Sequence, residues 1–373
     1  MAFNILLTNS TDIYGGGEYY VLELAKALQK RGHNVWVSCK PDNLLKSKCE
    51  DANIKVIPID FPSRGALVKI IVQLKNIIHH YKIQILHSNS NYDRTAGAFA
   101  AKLAGITHVT NVHSFHSIQH NLTQWLRNNM CTDQFIVDGF CVKDILSNKD
   151  GISSSKISVV HLGVDPGSMQ RDTMLRQHIR QEFGFSEYDV VIGNVARLVP
   201  MKGHEYLLQA FAKLSPSYPN VKLVLVGDGE LHTSLLQTAR SLNIQENIIF
   251  AGFRDNLQAF YSAFDIYAHA SVEGGGETFP FAVLQALAQE LPVVVTRVGD
   301  VPYMVDEESN GFVVAERNAS ALSDRLRLLI DNTSLRISMA RNSREKLLQQ
   351  FTIERMTDDI VRIYRAVVPS AAL

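Results

Sequence analysis

Short apolar runs alternate with amphipathic helical patterns along almost the whole chain, and the alternation starts twice. Residues 3–8 (FNILLT) form a short apolar run bounded by Asn and Ser, the signature of a buried strand. After a polar loop holding Gly15, Gly16 and Gly17, the residues Val21, Leu24, Ala25 and Leu28 recur at helical spacing, and Gly32 closes the segment. Further strands are expected at 34–39, 54–59, 83–87, 107–112, 134–137 and 157–160. The helices between them fall at 66–81, 92–104, 118–130 and 139–148. Strand and helix in strict alternation require right-handed crossovers and a parallel sheet covered on both faces.

The pattern loosens at 161–188, which is polar and opens with Gly and Pro, so a linker is expected near 162–170. It then restarts. Strands are expected at 190–196, 221–227, 247–252, 265–270, 291–296 and 311–315, with helices around 207–214, 230–242, 256–263 and 280–289. The rest reads as charged helix with a break at Phe351 and Thr352. A chain of 373 residues suits about two domains. The expectation is an α/β protein of two facing doubly wound, Rossmann-like domains, with ligands at the carboxyl ends of the strands and in a cleft between the domains.

Charge and cysteine usage narrow the function. Lys+Arg and Asp+Glu are equal at 37 each, so no global basic field points to nucleic acid. The opening MAFNILLTNS is a strand pattern without a basic region and long apolar stretch, so it is not a secretory signal. No window approaches ~18 uninterrupted apolar residues. Cys39, Cys49, Cys131 and Cys141 form no C-x-x-C pair, which suggests reduced thiols in a cytoplasmic protein and no metal cluster. No D-x-D pair is present to hold a divalent cation on a diphosphate.

The stretch EGGGETFPFAVLQALAQ (273–289) carries the most chemistry. Pro280 suits the first helical position, and the free N–H groups of a helix start attract phosphate. Glu277 sits just before that end, where a carboxylate suits a hydroxyl-rich group attached to the phosphate; the plain alternative is a loop with solvated charges. In NVARLVPMKGHEYLLQAF (194–211), Arg197 and Lys202 follow a strand and precede a helix, an arrangement suited to a diphosphate, although two surface charges would read the same. The glycines of GGGE after the first strand allow close backbone approach to a ligand, but G-x-G-x-x-G is absent, which argues against a dinucleotide cofactor. VGDGE (226–230) is weak by itself. His113 ends a first-domain strand, with His116 as a competitor, and a lone histidine is more often structural.

Taken in order, GGGE with the helix ending RGHNV, VVHLGVD (159–165), the Arg197–Lys202 stretch, LVLVGDGE and the long run from IIFAGF to PVVVT resemble the retaining GT-B glycosyltransferases of family four over nearly the whole chain. The resemblance implies an acceptor-binding domain over 1–165, a nucleotide-sugar domain over 166–350 and a terminal helix, 351–373, crossing back to the first. Arg197 and Lys202 would bind the donor diphosphate. Gly15 and Gly16 would lie against the phosphates, His113 near the transferred sugar, and Glu277 on its hydroxyls. The backbone at Thr278, Phe279, Phe281 and Ala282 would face phosphates and sugar, with Gly252, Phe253 and Arg254 by the base. No cofactor or metal is expected; the partners are a nucleotide-sugar donor, with UDP-sugars favoured, and a glycan, lipid-linked or small-molecule acceptor in cell-surface polysaccharide synthesis.

The chain departs from the family pattern around the donor. Gln285 stands where a second glutamate binds the ribose hydroxyls. Glu290 replaces a frequent glycine, which costs about 1 kcal/mol if the site needs positive φ. Asp300 and Tyr303 replace Gly and Glu, and Leu162 replaces Asn. Two alternatives follow: a degenerate member that binds a nucleotide or glycan without catalysis, and a sugar-nucleotide epimerase. Residues 66–81 (ALVKIIVQLKNIIHHY) read first as a core helix with a basic edge and second as a peripheral contact with the inner face of a membrane, and Trp125 is a candidate contact for a lipid-linked or oligosaccharide acceptor. Nothing in the sequence sets the oligomeric state.

Overall fold

The computed structural model describes residues 2–12, 14–61, 66–113, 115–274 and 276–369. The chain divides into two compact units. The first comprises Met1–Leu162 with Ile353–Leu373, and the second comprises Gly163–Thr352.

In the first unit seven parallel strands pair in the order β3-β2-β1-β4-β5-β6-β7. They are β1 (Asn4–Thr8), β2 (Asn34–Ser38), β3 (Lys55–Val56), β4 (Ile85–Ser88), β5 (Thr107–Val112), β6 (Gln134–Val137) and β7 (Ile157–Val159). Six parallel strands of the second unit pair in the order β10-β9-β8-β11-β12-β13. These are β8 (Val190–Val195), β9 (Val221–Val226), β10 (Ile248–Gly252), β11 (Ile266–His269), β12 (Val293–Thr296) and β13 (Gly311–Val314). Strand order reverses between β1 and β4 in one sheet and between β8 and β11 in the other, and such switch points are where doubly wound sheets hold ligands. Among the described residues no helix is long and apolar enough to cross a membrane.

The sheets are legible as apolar runs because both faces are buried: every residue of β4, β5, β6, β11 and β12 is buried. The second core joins Ile192, Phe211, Leu223 and Ile266 with Leu326 and Leu329. The helix Ile353–Val367 buries Ile353, Met356, Ile360 and Tyr364 within the first unit, where Arg31 meets Asp358 at 2.7 Å.

Several local expectations need correction. The polar stretch 161–188, where no helix was expected, contains the helix Thr173–Glu182 just beyond the linker placed near 162–170. Asp172 caps it, accepting from the N–H groups of Met174 and Leu175. Part of its inner face is held by charge instead of apolar periodicity. Arg176 meets Asp265 at 2.7 Å, and Arg180 meets the other oxygen of that carboxylate at 3.3 Å. The expected strand 54–59 shrinks to Lys55–Val56, although Ile57 and Ile59 still donate to the carbonyls of Val37 and Cys39. The helices expected over 118–130 and 139–148 each begin as a short α-turn and continue as a π-turn, at Arg127–Cys131 and Ile145–Lys149. Pro280 lies just outside its helix with ψ 126°, and the helix is Phe281–Ala288.

Glu290, where a glycine is frequent, has φ +56° and is exposed. This is the left-handed region that a side chain makes costly. Glu290→Gly is expected to stabilise the protein by about 0.5–1 kcal/mol, read as a rise in the urea midpoint at unchanged slope.

Candidate active site

The second unit assembles its polar cluster at the carboxyl ends of β8 and β11. Beyond β8 the chain turns outward at Ala196–Leu198, a loop fixed by its neighbour: Ala196 donates to Val226 O, Leu198 donates to Asp228 O, and Leu231 donates back to Leu198 O, each at 3.0 Å. Gly227 and Gly229 make this approach possible. A Cβ on Gly227 would lie 2.0 Å from Ala196 O, and one on Gly229 would lie 2.5 Å from Leu198 O. The weak VGDGE motif thus holds both sides of Arg197, whose own residue is exposed.

Lys202 ends the 3-10 turn Pro200–Lys202, and its ammonium pairs with Glu277 Oε2. The same oxygen accepts from Ser271 Oγ at 2.8 Å and lies 3.2 Å from His269 Nε2. Among the described residues these bonds engage only Oε2, while Oε1 takes none. Burial alone would push the Glu277 carboxyl up; Lys202 and His269 outweigh it and hold the carboxyl below the ordinary range. His269 and Ser271 are absent from the residues expected from sequence. They become partners only because Glu277 loops back over the end of β11.

The backbone around Glu277 is clamped from the other side. Asp300 N–H donates to Thr278 O at 3.0 Å, and a Cβ on Gly299 would lie 2.4 Å from Glu277 O. Phe279 turns its ring into the core, 5.4 Å from that of Phe351. Phe281 and Ala282 open the following helix half-buried, and Gln285 lies buried one turn further in.

Gly252 ends β10 with φ +71° and accepts from Gly227 N–H at 2.8 Å, which ties it to the Arg197 loop. Phe253 is 63% exposed. Arg254, its side chain 38% exposed, reaches Glu182 at 3.2 Å and lies over the Phe260 ring at 5.4 Å.

In the first unit Gly15 caps the helix Gly16–Lys30, with Gly15 N–H donating to Glu18 Oε2 at 2.8 Å. Gly15 and Gly16 are both exposed beyond β1. His113 follows β5; its Nδ1 lies 3.4 Å from Asp138 Oδ2 and its Nε2 3.3 Å from Asn111 Nδ2. Asn111 Oδ1 lies 3.1 Å from His87 Nε2, and His87 Nδ1 lies 2.6 Å from Tyr364 Oη. A hydrogen-bonded chain therefore runs from the terminal helix to His113. Burial pushes His87 down to about 4, so this link is a neutral imidazole. His116, the competitor, is exposed and lines a different recess with Arg94 and Arg127. Asp138 carried no sequence signal, since nothing in the motif order marks the residue after β6. Among the described residues no group of three His, Cys, Asp or Glu side chains is placed to hold a metal ion.

Two family profiles match the chain in succession: Glycosyltransferase Family 4 over residues 14–168, and Glycosyl transferases group 1 over residues 176–346. The chain belongs to the group 1 glycosyltransferases. It is 25% identical over 377 residues, covering 94% of both proteins, to the UDP-Gal:alpha-D-GlcNAc-diphosphoundecaprenol alpha-1,3-galactosyltransferase of Escherichia coli. It is 27% identical over 186 residues to the N-acetyl-alpha-D-glucosaminyl L-malate synthase of Bacillus anthracis, covering 50% of this chain and 48% of that protein. Among solved structures, HepE of Anabaena in complex with UDP superposes with a TM-score of 0.86 at 22% identity, covering 98% of this chain and 100% of that one. The fold of this glycosyltransferase is GT-B, two Rossmann-like units.

The glycosyltransferase also buries a histidine beside its cluster. His204 is 1% exposed, neither ring nitrogen has a hydrogen-bond partner among the described residues, and burial pushes its pKa down to about 3 from 6.5. The folded state thus excludes the imidazolium while the unfolded chain accepts it. The stability is whole above pH 6.5 and is lost as pH falls toward 3. His204→Leu is expected to flatten the pH dependence of urea unfolding below pH 6.5 by up to about 1.4 kcal/mol per pH unit, and to be neutral or stabilising at pH 7.

Proposed function

We propose that this glycosyltransferase moves a hexose, with retention of configuration and without a metal, from a UDP-sugar to a glycan, lipid-linked or small-molecule acceptor in cell-surface polysaccharide or glycoconjugate synthesis. Glu277 carries the proposal: one oxygen is engaged by Lys202, His269 and Ser271, and the other is left for sugar hydroxyls. The E. coli relative is named for a UDP-Gal donor, and HepE has been solved with UDP and with UDP-glucose, which supports a uridine donor.

In this reading the bond between the anomeric carbon and the diphosphate breaks through an oxocarbenium-like state, and the electron pair leaves on the phosphate oxygen. Arg197, Lys202 and the N–H groups opening the helix Phe281–Ala288 meet that charge in place of a metal. Gly15 and Gly16 let the first unit's backbone approach the phosphates, and His113 contacts the transferred sugar. The acceptor hydroxyl attacks on the leaving-group side, and its proton passes to the departing phosphate. Phe253 stacks on the base beside Gly252. The acceptor is held by the first unit, and the enzyme works at the cytoplasmic side of the membrane.

Gln285 motivates a second reading, binding without turnover, because a neutral amide replaces the ribose-binding carboxylate. Calorimetry with UDP-, GDP- and ADP-sugars beside a donor-hydrolysis assay separates the two: tight binding with no turnover on a broad acceptor panel favours the second. Arg197→Ala and Lys202→Ala are each expected to lower transfer by more than roughly tenfold. Full activity in both would remove these residues from the mechanism. Gln285→Glu is expected to lower the donor KM, and EDTA should leave the rate unchanged.

A further inference from the structure

The buried hydrogen-bonded chain behind His113 has a direction, and that direction fixes where the imidazole carries its proton. The links are Tyr364, His87, Asn111, His113 and Asp138, all within the first unit. Tyr364, His87, Asn111 and Asp138 are all buried. The sheet itself brings the last pair together. Val112 of β5 is the register partner of Val137 of β6, and His113 and Asp138 are the residues that follow them. His113 Nδ1 lies 3.4 Å from Asp138 Oδ2. Tyr20, on the helix that opens at the glycine loop, meets the same imidazole edge to face, with ring centroids 4.9 Å apart.

Each bond of the chain needs one donor and one acceptor. His87 is neutral and carries a single proton, since burial pushes it down to about 4. Its Nε2 lies 3.1 Å from Asn111 Oδ1, which can only accept, so the proton is on Nε2. Its Nδ1 therefore accepts from Tyr364 Oη at 2.6 Å. With Oδ1 engaged there, Asn111 turns its amide Nδ2 to His113 Nε2 at 3.3 Å, and that ring nitrogen must accept. The proton of neutral His113 then lies on Nδ1, against the Asp138 carboxylate. Exchanging the oxygen and nitrogen of the Asn111 amide reverses every bond and leaves a bare Nδ1 facing an anion. Asp138, a carboxylate with no proton to give, excludes that arrangement.

We propose that Asp138 is a positioning residue that keeps the His113 proton on Nδ1, so that Nε2 meets the donor sugar as an acceptor for one of its hydroxyls. The imidazole then has no proton on that nitrogen to give to a departing phosphate. The Asn111 bond to Nε2 is longer than the usual hydrogen bond, and a sugar hydroxyl takes its place. This deepens the reading in which His113 contacts the transferred sugar and rests on it.

Long-range 1H–15N spectra of the whole protein with 15N-labelled histidine separate a protonated ring nitrogen from a bare one. His113→Gln marks the His113 signals among those of the 13 histidines. At about pH 8 the wild type is expected to carry the His113 proton on Nδ1. Asp138→Asn nearly preserves the shape but supplies a group that can also donate, so the Nε2–H form is expected to appear beside the first. The same variant is expected to lower kcat by roughly tenfold, with donor KM within about twofold and UDP affinity unchanged. Tyr364→Phe removes the hydroxyl at the far end and is expected to leave the His113 proton on Nδ1. A wild-type proton on Nε2 overturns the proposal, and that reading decides even if Asp138→Asn does not fold. An unchanged spectrum in folded Asp138→Asn, or a proton moved by Tyr364→Phe, takes control of the tautomer away from Asp138. A moved proton with unchanged kcat removes its bearing on transfer. A wild type that turns over no donor strikes the transferase reading, while the spectra still decide where the proton lies.

Discussion

A carboxylate buried against a lysine ammonium, a histidine ring and a hydroxyl organises the second unit. Glu277 is 8% exposed, and removing a charge from water is costly unless partners replace the hydration. Lys202, Ser271 and His269 supply that replacement from two strand ends, so the ion pair ties the loop after β8 to the segment after β11. The geometry elsewhere follows from keeping this cluster in place. The glycines after β9 hold the Arg197 loop, Gly299 presses on the Glu277 carbonyl, and Phe279 anchors the chain by placing its ring in the core.

This arrangement separates anchoring from presentation. The Phe279 ring goes inward against Phe351, while the Glu277 carboxylate turns to Lys202, His269 and Ser271. The same division holds in the first unit, where Glu18 spends both oxygens on local bonds to Asn9, Thr11 and Gly15 N–H, shaping the loop that exposes Gly15 and Gly16. The His87–Asn111–His113 chain fixes an imidazole in the same manner, from behind.

Most of the fold was legible because buried parallel strands leave continuous apolar runs, and Gly or Pro marks many of their ends. The helix Thr173–Glu182 was not legible, since Arg176 and Arg180 fix it to Asp265, a residue far along the sequence. The positive φ at Glu290 could be anticipated from the glycine that the resembling family frequently carries there. At the site, Arg197, Lys202 and Glu277 stood out by motif order, whereas His269, Ser271 and Asp138 did not. A polar residue at a strand end gains its partner only when the chain folds back on it.

The terminal helix has a consequence for how the molecule is made. Tyr364 completes the interior of the first unit against Phe3 and His87, and the residues that join the units are themselves paired, Val164 N–H to Phe351 O at 3.0 Å. In topological terms the second unit is an insertion within the first. During synthesis, everything the second unit needs has emerged by residue 352, while the first unit waits for a segment made after it. The ribosome thus delivers the later half as a foldable whole before the earlier half can close its core, reversing the usual order in which an N-terminal domain folds first.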